Sequence, residues 1–197
     1  MLFNIILFPD FETLDVFGPV EVFGKTDNCK LMYFSMNGGL INNKDGINIE
    51  TKRIDKINTD EPYILFIPGG MGTRIEIENI SFIEKIKELA SKASYVLSVC
   101  TGSALLARTG ILDGKKATSN KRSFDWVRSS SEKVIWVKEA RWVVDGKFYT
   151  SSGISAGIDM SLGFISDVLG KEKAEEIAFR IEYNWQQDKN LDNFCIS

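Results

Sequence analysis

The stretch that decides the fold is Ser94–Gly110, which reads SYVLSVCTGSALLARTG. Its first part, Tyr95–Val99, is an apolar run of the kind that forms a strand buried on both faces. Its second part, Thr101–Arg108, has the composition of a helix. Cys100 stands between them. A strand that passes directly into a helix at a nucleophilic residue predicts a nucleophile elbow, a tight turn that presents the side chain above the edge of a sheet.

Such a turn would activate the Cys100 thiol. The N–H groups of the first helical turn and the helix dipole stabilise a thiolate, so the sequence predicts a lowered pKa for Cys100. Gly102 and Ser103 are small, which lets the turn pack tightly and lets a ligand approach. A structural cysteine that ends a core strand would show the same pattern, because free cysteines often pack as small apolar side chains. Spacing alone leaves both interpretations open.

Apolar periodicity around this stretch predicts alternating strands and helices. Two further apolar runs, Leu2–Phe8 and Tyr63–Ile67, predict buried strands, and Leu31–Met36 predicts another strand. Helical spacing predicts helices over Thr13–Phe23 and Ile80–Ala90, and Gly18-Pro19 should kink or interrupt the first of them. Strands that alternate with helices indicate βαβ units and a parallel sheet covered on both faces.

The pattern changes after Gly114. Three short β runs follow: Val134–Val137, Trp142–Val144 and Phe148–Thr150. The last two flank Asp145-Gly146, a strong hairpin signal, and helices are predicted over 155–169 and Lys171–Tyr183. The predicted fold is therefore a three-layer α/β/α sandwich with a mostly parallel, flavodoxin-like sheet, a nucleophile elbow and a small antiparallel hairpin. We expect one domain over residues 1–197.

Composition excludes several classes of protein. The chain has 197 residues, 44% of them apolar, which indicates a globular core. A net charge of −3 and a pI near 5.2 give no reason to expect nucleic-acid or anionic-membrane partners. No apolar run approaches the ~20 residues of a membrane span, and Met1–Phe8 is too short for a signal peptide. We expect a cytoplasmic protein.

The absence of histidine restricts the chemistry most. With no histidine, the chain can form neither a Ser-His-Asp nor a Cys-His catalytic pair, nor any metal site that includes histidine. The three cysteines, Cys29, Cys100 and Cys195, form no CxxC pair, which disfavours a zinc ribbon or a disulfide framework. We therefore predict no metal and no cofactor, with chemistry based on cysteine, carboxylates, hydroxyls or backbone dipoles.

Two further segments fall at the carboxyl ends of predicted strands, where parallel sheets bind their ligands. The pair Gly69-Gly70 follows Pro68, and its uncovered N–H groups could stabilise an anion on a cysteine-bound intermediate. A plain loop glycine pair is the alternative.

The segment FETLDVFGPVEV contains two acids, Glu12 and Asp15, at the same edge of the sheet. A carboxyl there could hydrogen-bond the Cys100 sulfur or carry a proton. The alternative is that both acids only complement a helix dipole. Asp15 lies between two apolar residues, where a carboxyl is costly unless it has a partner. A carboxyl near a thiolate would tend to stay protonated.

Together these segments resemble the ThiJ/PfpI superfamily, within the class I glutamine-amidotransferase-like fold. The resemblance runs from Met1 to about Tyr183 and is closest to the branch of isonitrile hydratases and amidase-like domains of AraC-type regulators. The segments that carry it are LFPDFETLDVFGPVEVF, LFIPGGMGTR, VLSVCTGSALLARTGILDGKKATSN, RWVVDGKFYTSSGISAGIDMSL and IEYN.

The resemblance implies roles for individual residues. It implies that Cys100 is the nucleophile, that Asp15 is its acid partner, and that the backbone around Gly70 and Thr101 forms an oxyanion site. Thr101 would also face the substrate. Gly69 joins this candidate substrate-binding set, and the loop Ser151–Gly157 would contribute Gly153 and Ile154 to the pocket wall. The resemblance also implies a small-molecule substrate and a homodimer.

Three departures from the family pattern bear on activity. Asn120 stands where many relatives carry histidine, which weakens a protease or glutaminase assignment; we keep Asn120 as a candidate substrate-binding residue. Asn184 stands where isonitrile hydratases tend to carry aspartate, which puts that activity in doubt. Lys171–Ser197 is too short for the helix-turn-helix region of the AraC-type relatives, so we do not expect a transcription factor.

The leading hypothesis is a cysteine-dependent hydratase or hydrolase acting on a small carbon–nitrogen electrophile, most specifically the hydration of an isonitrile to an N-substituted formamide. Here Asp15 would supply and recover the protons. One alternative is glyoxalase or amidase activity on small carbonyl compounds with the same nucleophile. A second alternative is a redox or stress sensor without turnover, because an accessible low-pKa cysteine oxidises readily.

Overall fold

The main sheet of the molecule has eight strands and is mostly parallel. The computed structural model describes residues 1–195, so residues 196 and 197 of the predicted domain lie outside it. In chain order the strands are β1 (Leu2–Ile6), β2 (Lys30–Ser35), β3 (Gly39–Asn42), β4 (Asn48–Arg53), β5 (Ile64–Ile67), β6 (Tyr95–Val99), β7 (Lys116–Ala117), β8 (Ile135–Trp136), β9 (Trp142–Asp145) and β10 (Phe148–Ser151). The main sheet runs β3-β4-β2-β1-β5-β6-β10-β9, and β7 pairs with β8 separately.

Helices cover both faces of this sheet. They are α1 (Thr13–Gly24), α2 (Thr73–Glu76), α3 (Ile80–Lys92), α4 (Gly102–Arg108), α5 (Phe124–Arg128), α6 (Ala156–Leu169) and α7 (Lys171–Arg180). Helices α1, α6 and α7 pack together in one layer, and α2, α3 and α5 pack around α4 in the other. The predicted three-layer α/β fold is confirmed, and β6 has the predicted bounds.

Both ends of the main sheet carry an antiparallel pair. The hairpin predicted at Asp145-Gly146 joins β9 to β10, with Gly146 at a φ of +60°. A second hairpin, β3–β4, was not expected from the sequence. Its strands lie at the sheet edge and are largely exposed, so they lack the apolar alternation that identifies a half-buried strand.

The predicted interruption of the first helix is wrong. Helix α1 runs without a break from Thr13 to Gly24, with Pro19 inside it. The packing of α1 against α6 explains the tolerance: a Cβ on Gly18 would lie 2.7 Å from the Ile158 side chain, and Pro19 itself is buried. Close contact along this face stabilises the helix against the hydrogen bond that proline removes.

The core around the first strands is aromatic. Phe3 stacks on Phe23 with ring centroids 4.0 Å apart, and Phe164 contacts Phe3, Phe23, Tyr95 and Tyr149 edge to face. Such pairs add to the stabilisation from burial alone.

Within residues 1–195, every helix is too short or too polar to span a bilayer.

Candidate active site

Cys100 lies at the junction of β6 and α4, in the turn that the sequence predicts. Its φ is +55°, in the left-handed region that non-glycine residues rarely adopt. The Cys100 N–H donates to the carbonyls of Ser151 (3.2 Å) and Ser152 (3.3 Å). The Cys100 carbonyl accepts from the hydroxyls of Ser103 (3.1 Å) and Ser119 (2.7 Å). These bonds hold a conformation that would otherwise relax.

Two glycines allow the elements of the site to approach each other. A Cβ on Gly102 would lie 2.5 Å from the Ile67 carbonyl oxygen, so a larger residue would push α4 away from β5. A Cβ on Gly69 would lie 2.6 Å from the Thr101 nitrogen and 2.9 Å from Asp15 Oδ2. The ends of β5 and β6 and the start of α1 therefore meet without intervening side chains.

Asp15 is the acid of this site. It lies in the first turn of α1 and is completely buried. Its Oδ2 accepts a hydrogen bond from the Gly69 N–H at 3.0 Å, whereas Oδ1 has no hydrogen-bond partner among residues 1–195. The Asp15 carboxyl and the Cys100 thiol are close enough for each to shift the pKa of the other.

The electrostatics favour the uncharged forms of both groups. Burial raises the pKa of the Asp15 carboxyl well above its usual range, against the Gly69 hydrogen bond. Burial, and next the charge of Asp15, raise the pKa of the Cys100 thiol; the N–H and hydroxyl of Thr101 lower it by less. The predicted lowering of the thiol pKa is therefore wrong. Helix α4 is short, and its dipole does not offset the removal of the sulfur from water.

The predicted oxyanion donors are placed at the site, but each of the three already has a partner. The Gly69 N–H donates to Asp15, and the Gly70 N–H donates to Thr101 Oγ1 at 3.0 Å. The Thr101 N–H interacts with the Cys100 sulfur. Gly70 also has a φ of +126°, which favours glycine.

Thr73 is a residue of the site that the sequence analysis missed. It is fully buried, its hydroxyl donates to the Gly70 carbonyl at 2.7 Å, and it lies 3.1 Å from Thr101 Oγ1. It thereby fixes the Gly70 turn and the Thr101 hydroxyl together. The available signal was the compact run Gly-Gly-Met-Gly-Thr, whose short turn returns a hydroxyl to the glycine pair.

The opposite wall of the site comes from the loop after β10. A Cβ on Gly153 would lie 3.0 Å from Cys100 Sγ and would overlap the Asn120 side-chain amide. Asn120 Oδ1 accepts from the Ser123 N–H at 3.1 Å, which leaves Nδ2 as the end beside Gly153. Ile154 is partly exposed at the outer end of this wall. Gly153 therefore lies beside both the Cys100 sulfur and the Asn120 amide.

The other singled-out residues lie elsewhere. Glu12 precedes α1, and its charge contributes to the raised pKa of Asp15. Asn184 is exposed beyond the end of α7. Trp185 Nε1 donates to the Asp159 carbonyl at 3.2 Å, so this tryptophan packs against α6.

Comparison with known sequences identifies relatives that match most of the chain. The pattern of the DJ-1/PfpI family matches residues 3–167. The isonitrile hydratase of Pseudomonas putida is 30% identical over 182 residues, which is 91% of this chain and 77% of that protein. The deglycase TK1284 of Thermococcus kodakarensis is 29% identical over 142 residues, or 72% of this chain and 83% of that one.

Solved structures agree with this relationship. A THiJ/PfpI family protein from Pseudomonas syringae superimposes with a TM-score of 0.85 at 26% identity, covering 93% of this chain and 75% of that one. DJ-1beta of Drosophila melanogaster gives a TM-score of 0.80 at 20% identity, over 93% of this chain and 98% of the other, and shows likeness of fold alone.

Proposed function

The chain belongs to the DJ-1/PfpI family, and from that membership and the site we propose a cysteine-dependent enzyme that hydrates a small carbon–nitrogen electrophile. Its most specific form is the conversion of an isonitrile to an N-substituted formamide. The observation that carries the proposal is the completely buried Asp15 carboxyl, which lies beside the Cys100 thiol and interacts with it directly. The similarity to an isonitrile hydratase supports this substrate class.

The first step suits a site that disfavours charge. The Cys100 sulfur forms a bond to the terminal carbon of the isonitrile while its proton passes to one oxygen of Asp15. The proton already on Asp15 passes to the same carbon, which gives a thioimidate and leaves Asp15 protonated. No net charge is created, which agrees with the raised pKa of both groups.

The same carboxyl serves the remaining steps. Water adds to the thioimidate carbon, giving one proton to Asp15 while Asp15 protonates the nitrogen. The carbon–sulfur bond then breaks, the hydroxyl proton passes through Asp15 to the sulfur, and the formamide is released. The Thr101 N–H supports the partial negative charge on sulfur in each transition state.

The test is incubation with cyclohexyl isocyanide and detection of N-cyclohexylformamide. We expect product from the wild type, none from Cys100→Ser or Asp15→Asn, and an unchanged rate from Cys29→Ser. The Cys29 thiol is free and half-buried, so Cys29→Ser repeats the chemical change outside the site. An inactive wild type, or an unchanged rate in Cys100→Ser, contradicts the proposal.

Two alternatives use the same cysteine. The similarity to a deglycase favours small carbonyl substrates as the second candidate, and turnover of methylglyoxal without turnover of the isonitrile would select it. A redox sensor requires an accessible thiol of low pKa. Cys100 is only 6% exposed and burial raises its pKa, and both features disfavour that alternative.

We also propose that the enzyme is a homodimer. Leu14 and Phe17 each expose 39% of their surface on α1, the helix that carries Asp15. A second copy seated there would remove apolar surface from water next to the site. Light scattering after gel filtration should give twice the mass of the chain, and a value for one chain contradicts the dimer.

A further inference from the structure

A cluster of buried charges lies outside the catalytic set. Arg141 contacts Asp159 Oδ2 at 2.6 Å and Asp192 Oδ1 at 3.6 Å, and Lys121 Nζ lies 3.7 Å from Asp192 Oδ2. All four side chains are at most 9% exposed. We call these residues the buried charge cluster. Burial lowers the pKa of Lys121, and the charge of Asp192 opposes that change.

The cluster fastens the C-terminal segment, residues 185–192, to the body of the fold. The Gln186 N–H donates to Asp159 Oδ1 at 2.9 Å. The Lys189 carbonyl accepts from the Arg141 N–H at 2.8 Å, and the Asp192 N–H donates to the Glu139 carbonyl at 2.9 Å. The segment therefore runs beside residues 139–142 and inserts Asp192 between two cationic side chains.

From Lys121, one chain of contacts leads to the nucleophile. Lys121 Nζ donates to the Ala140 carbonyl at 2.6 Å and to Thr118 Oγ1 at 3.0 Å. It thus fixes the segment that contains Ser119, whose hydroxyl donates to the Cys100 carbonyl at 2.7 Å. The same segment carries Asn120 to the wall of the site.

From Arg141, a second chain of contacts reaches the same backbone. The Arg141 carbonyl accepts from the Ser152 N–H at 2.8 Å, and the Ser152 carbonyl accepts from the Cys100 N–H at 3.3 Å. The Arg141 guanidinium also lies 3.5 Å from Ser155 Oγ, at the end of the loop that includes Gly153. Two of the four residues that hold the strained Cys100 backbone, Ser119 and Ser152, are thereby connected to Asp192.

We propose that the C-terminal segment is a positioning element of the active site, acting through Asp192 and the buried charge cluster on the two segments that hold Cys100. This inference rests on the role of Cys100 in the proposed function. Buried ion pairs are often no more stabilising than apolar residues of the same volume, so stability alone is a weak reason for the cluster. The hydrogen-bonded ion pair between Arg141 and Asp159 fixes the geometry of the groups it joins. Asp192 joins them through charge contacts at 3.6–3.7 Å, and its Oδ2 has no hydrogen-bond partner within residues 1–195.

The experiment compares Asp192→Asn with Asp188→Asn. Asp188 lies on the same segment but is exposed, so the second variant makes the same chemical change outside the cluster. The readout is the pH profile of Cys100 alkylation by iodoacetamide, followed by mass spectrometry of the Cys100 peptide. Displacement of the sulfur from its buried place beside Asp15 should lower the midpoint of the Asp192→Asn profile by about one pH unit. Asp188→Asn should not change it.

A Lys121→Met variant and the double variant Asp192→Asn with Lys121→Met complete a double-mutant cycle. If Asp192 acts through Lys121, the double variant shows the shift of one single variant and not the sum. A cluster that only stabilises the fold would lower the melting temperature and leave the alkylation midpoint of the folded protein unchanged, which overturns the inference. Alkylation needs no substrate, so a wild type without isonitrile turnover but with a shifted variant would refute the proposed function and retain the positioning role.

Discussion

Burial of the Asp15 carboxyl lowers the stability of the fold at neutral pH, although the proposed reaction needs an acid at this position. A carboxyl buried this completely favours its protonated form, and only Oδ2 receives a hydrogen bond, from Gly69. When the chain unfolds, Asp15 returns to an ordinary pKa and releases its proton at neutral pH. Its raised pKa therefore contributes stability that is present below the unfolded pKa and is lost as the pH rises toward the folded one.

Asp15→Asn should accordingly stabilise the protein at neutral pH while it abolishes turnover. The amide keeps an oxygen for the Gly69 N–H but has no proton to ionise. We expect a higher melting temperature than the wild type at pH 7, by roughly 2–4 °C for each kcal/mol gained, and a difference that shrinks toward pH 4. Scanning calorimetry at both pH values measures it.

The control for this prediction is Asp60→Asn, which removes one negative charge from an exposed position. Exposed carboxylates contribute little to stability, so this variant should melt within about 1 °C of the wild type at both pH values. A melting temperature of Asp15→Asn below that of the wild type at pH 7 would show that Asp15 is ionised in the fold and favourably paired.

Thr101 gives a second prediction for a single residue. Its hydroxyl accepts from the Gly70 N–H and lowers the pKa of Cys100. Thr101→Val should raise the Cys100 pKa further, seen as a higher alkylation midpoint. It should also cost about 1–3 kcal/mol of unfolding free energy, because the Gly70 N–H loses its partner.

Thr101→Ser is the matched variant, since it removes only a methyl group and keeps the hydroxyl. Its alkylation midpoint should stay close to that of the wild type, and urea unfolding should separate it clearly from Thr101→Val. Equal midpoints for the two variants would show that the hydroxyl does not reach the sulfur.

Among the elements, neighbouring strands explain why much of the site could be predicted from sequence. Strands β1, β5 and β6 are adjacent and parallel, so their carboxyl ends bring Asp15, Gly69 and Cys100 to one edge. Apolar runs that end in a glycine pair or a cysteine are visible in a sequence. The hydrogen-bond partners of Gly69 and Gly70, and the depth at which the sulfur lies, depend on side-chain packing across three elements. Hence the engaged N–H groups and the raised thiol pKa were not predictable.

The loop after β10 forms the wall of the site that includes Gly153, and it gives a further prediction. Gly153→Ala would place a methyl group 3.0 Å from Cys100 Sγ and against the Asn120 amide. We expect turnover to fall by about 100-fold, the typical loss for a displacement of ~1 Å at reacting atoms. Gly24→Ala is the control, because a Cβ there has no atom within 4 Å. Equal turnover in the two variants would place substrate away from Gly153.

Across the whole molecule, a cluster of aromatic rings lies at the end of the sheet opposite the candidate active site. Phe3, Tyr95 and Tyr149 lie at or next to the first residues of β1, β6 and β10 and contact the ring of Phe164. Cys100 and Gly69 follow the last residues of their strands. The aromatic core at the amino ends can therefore support an active site that carries strained backbone and buried ionisable groups.

Phe164→Ala should separate the two functions of the sheet. Phe164 is fully buried, so truncation should cost about 3–5 kcal/mol of unfolding free energy in urea. Turnover per folded molecule at 20 °C should stay near the wild-type value, because the cavity forms at the end away from Cys100. Phe179→Ala is the control, since that ring is 87% exposed and its loss should change stability by less than about 0.5 kcal/mol. If turnover falls together with stability in folded Phe164→Ala, the aromatic core also fixes the geometry of the site.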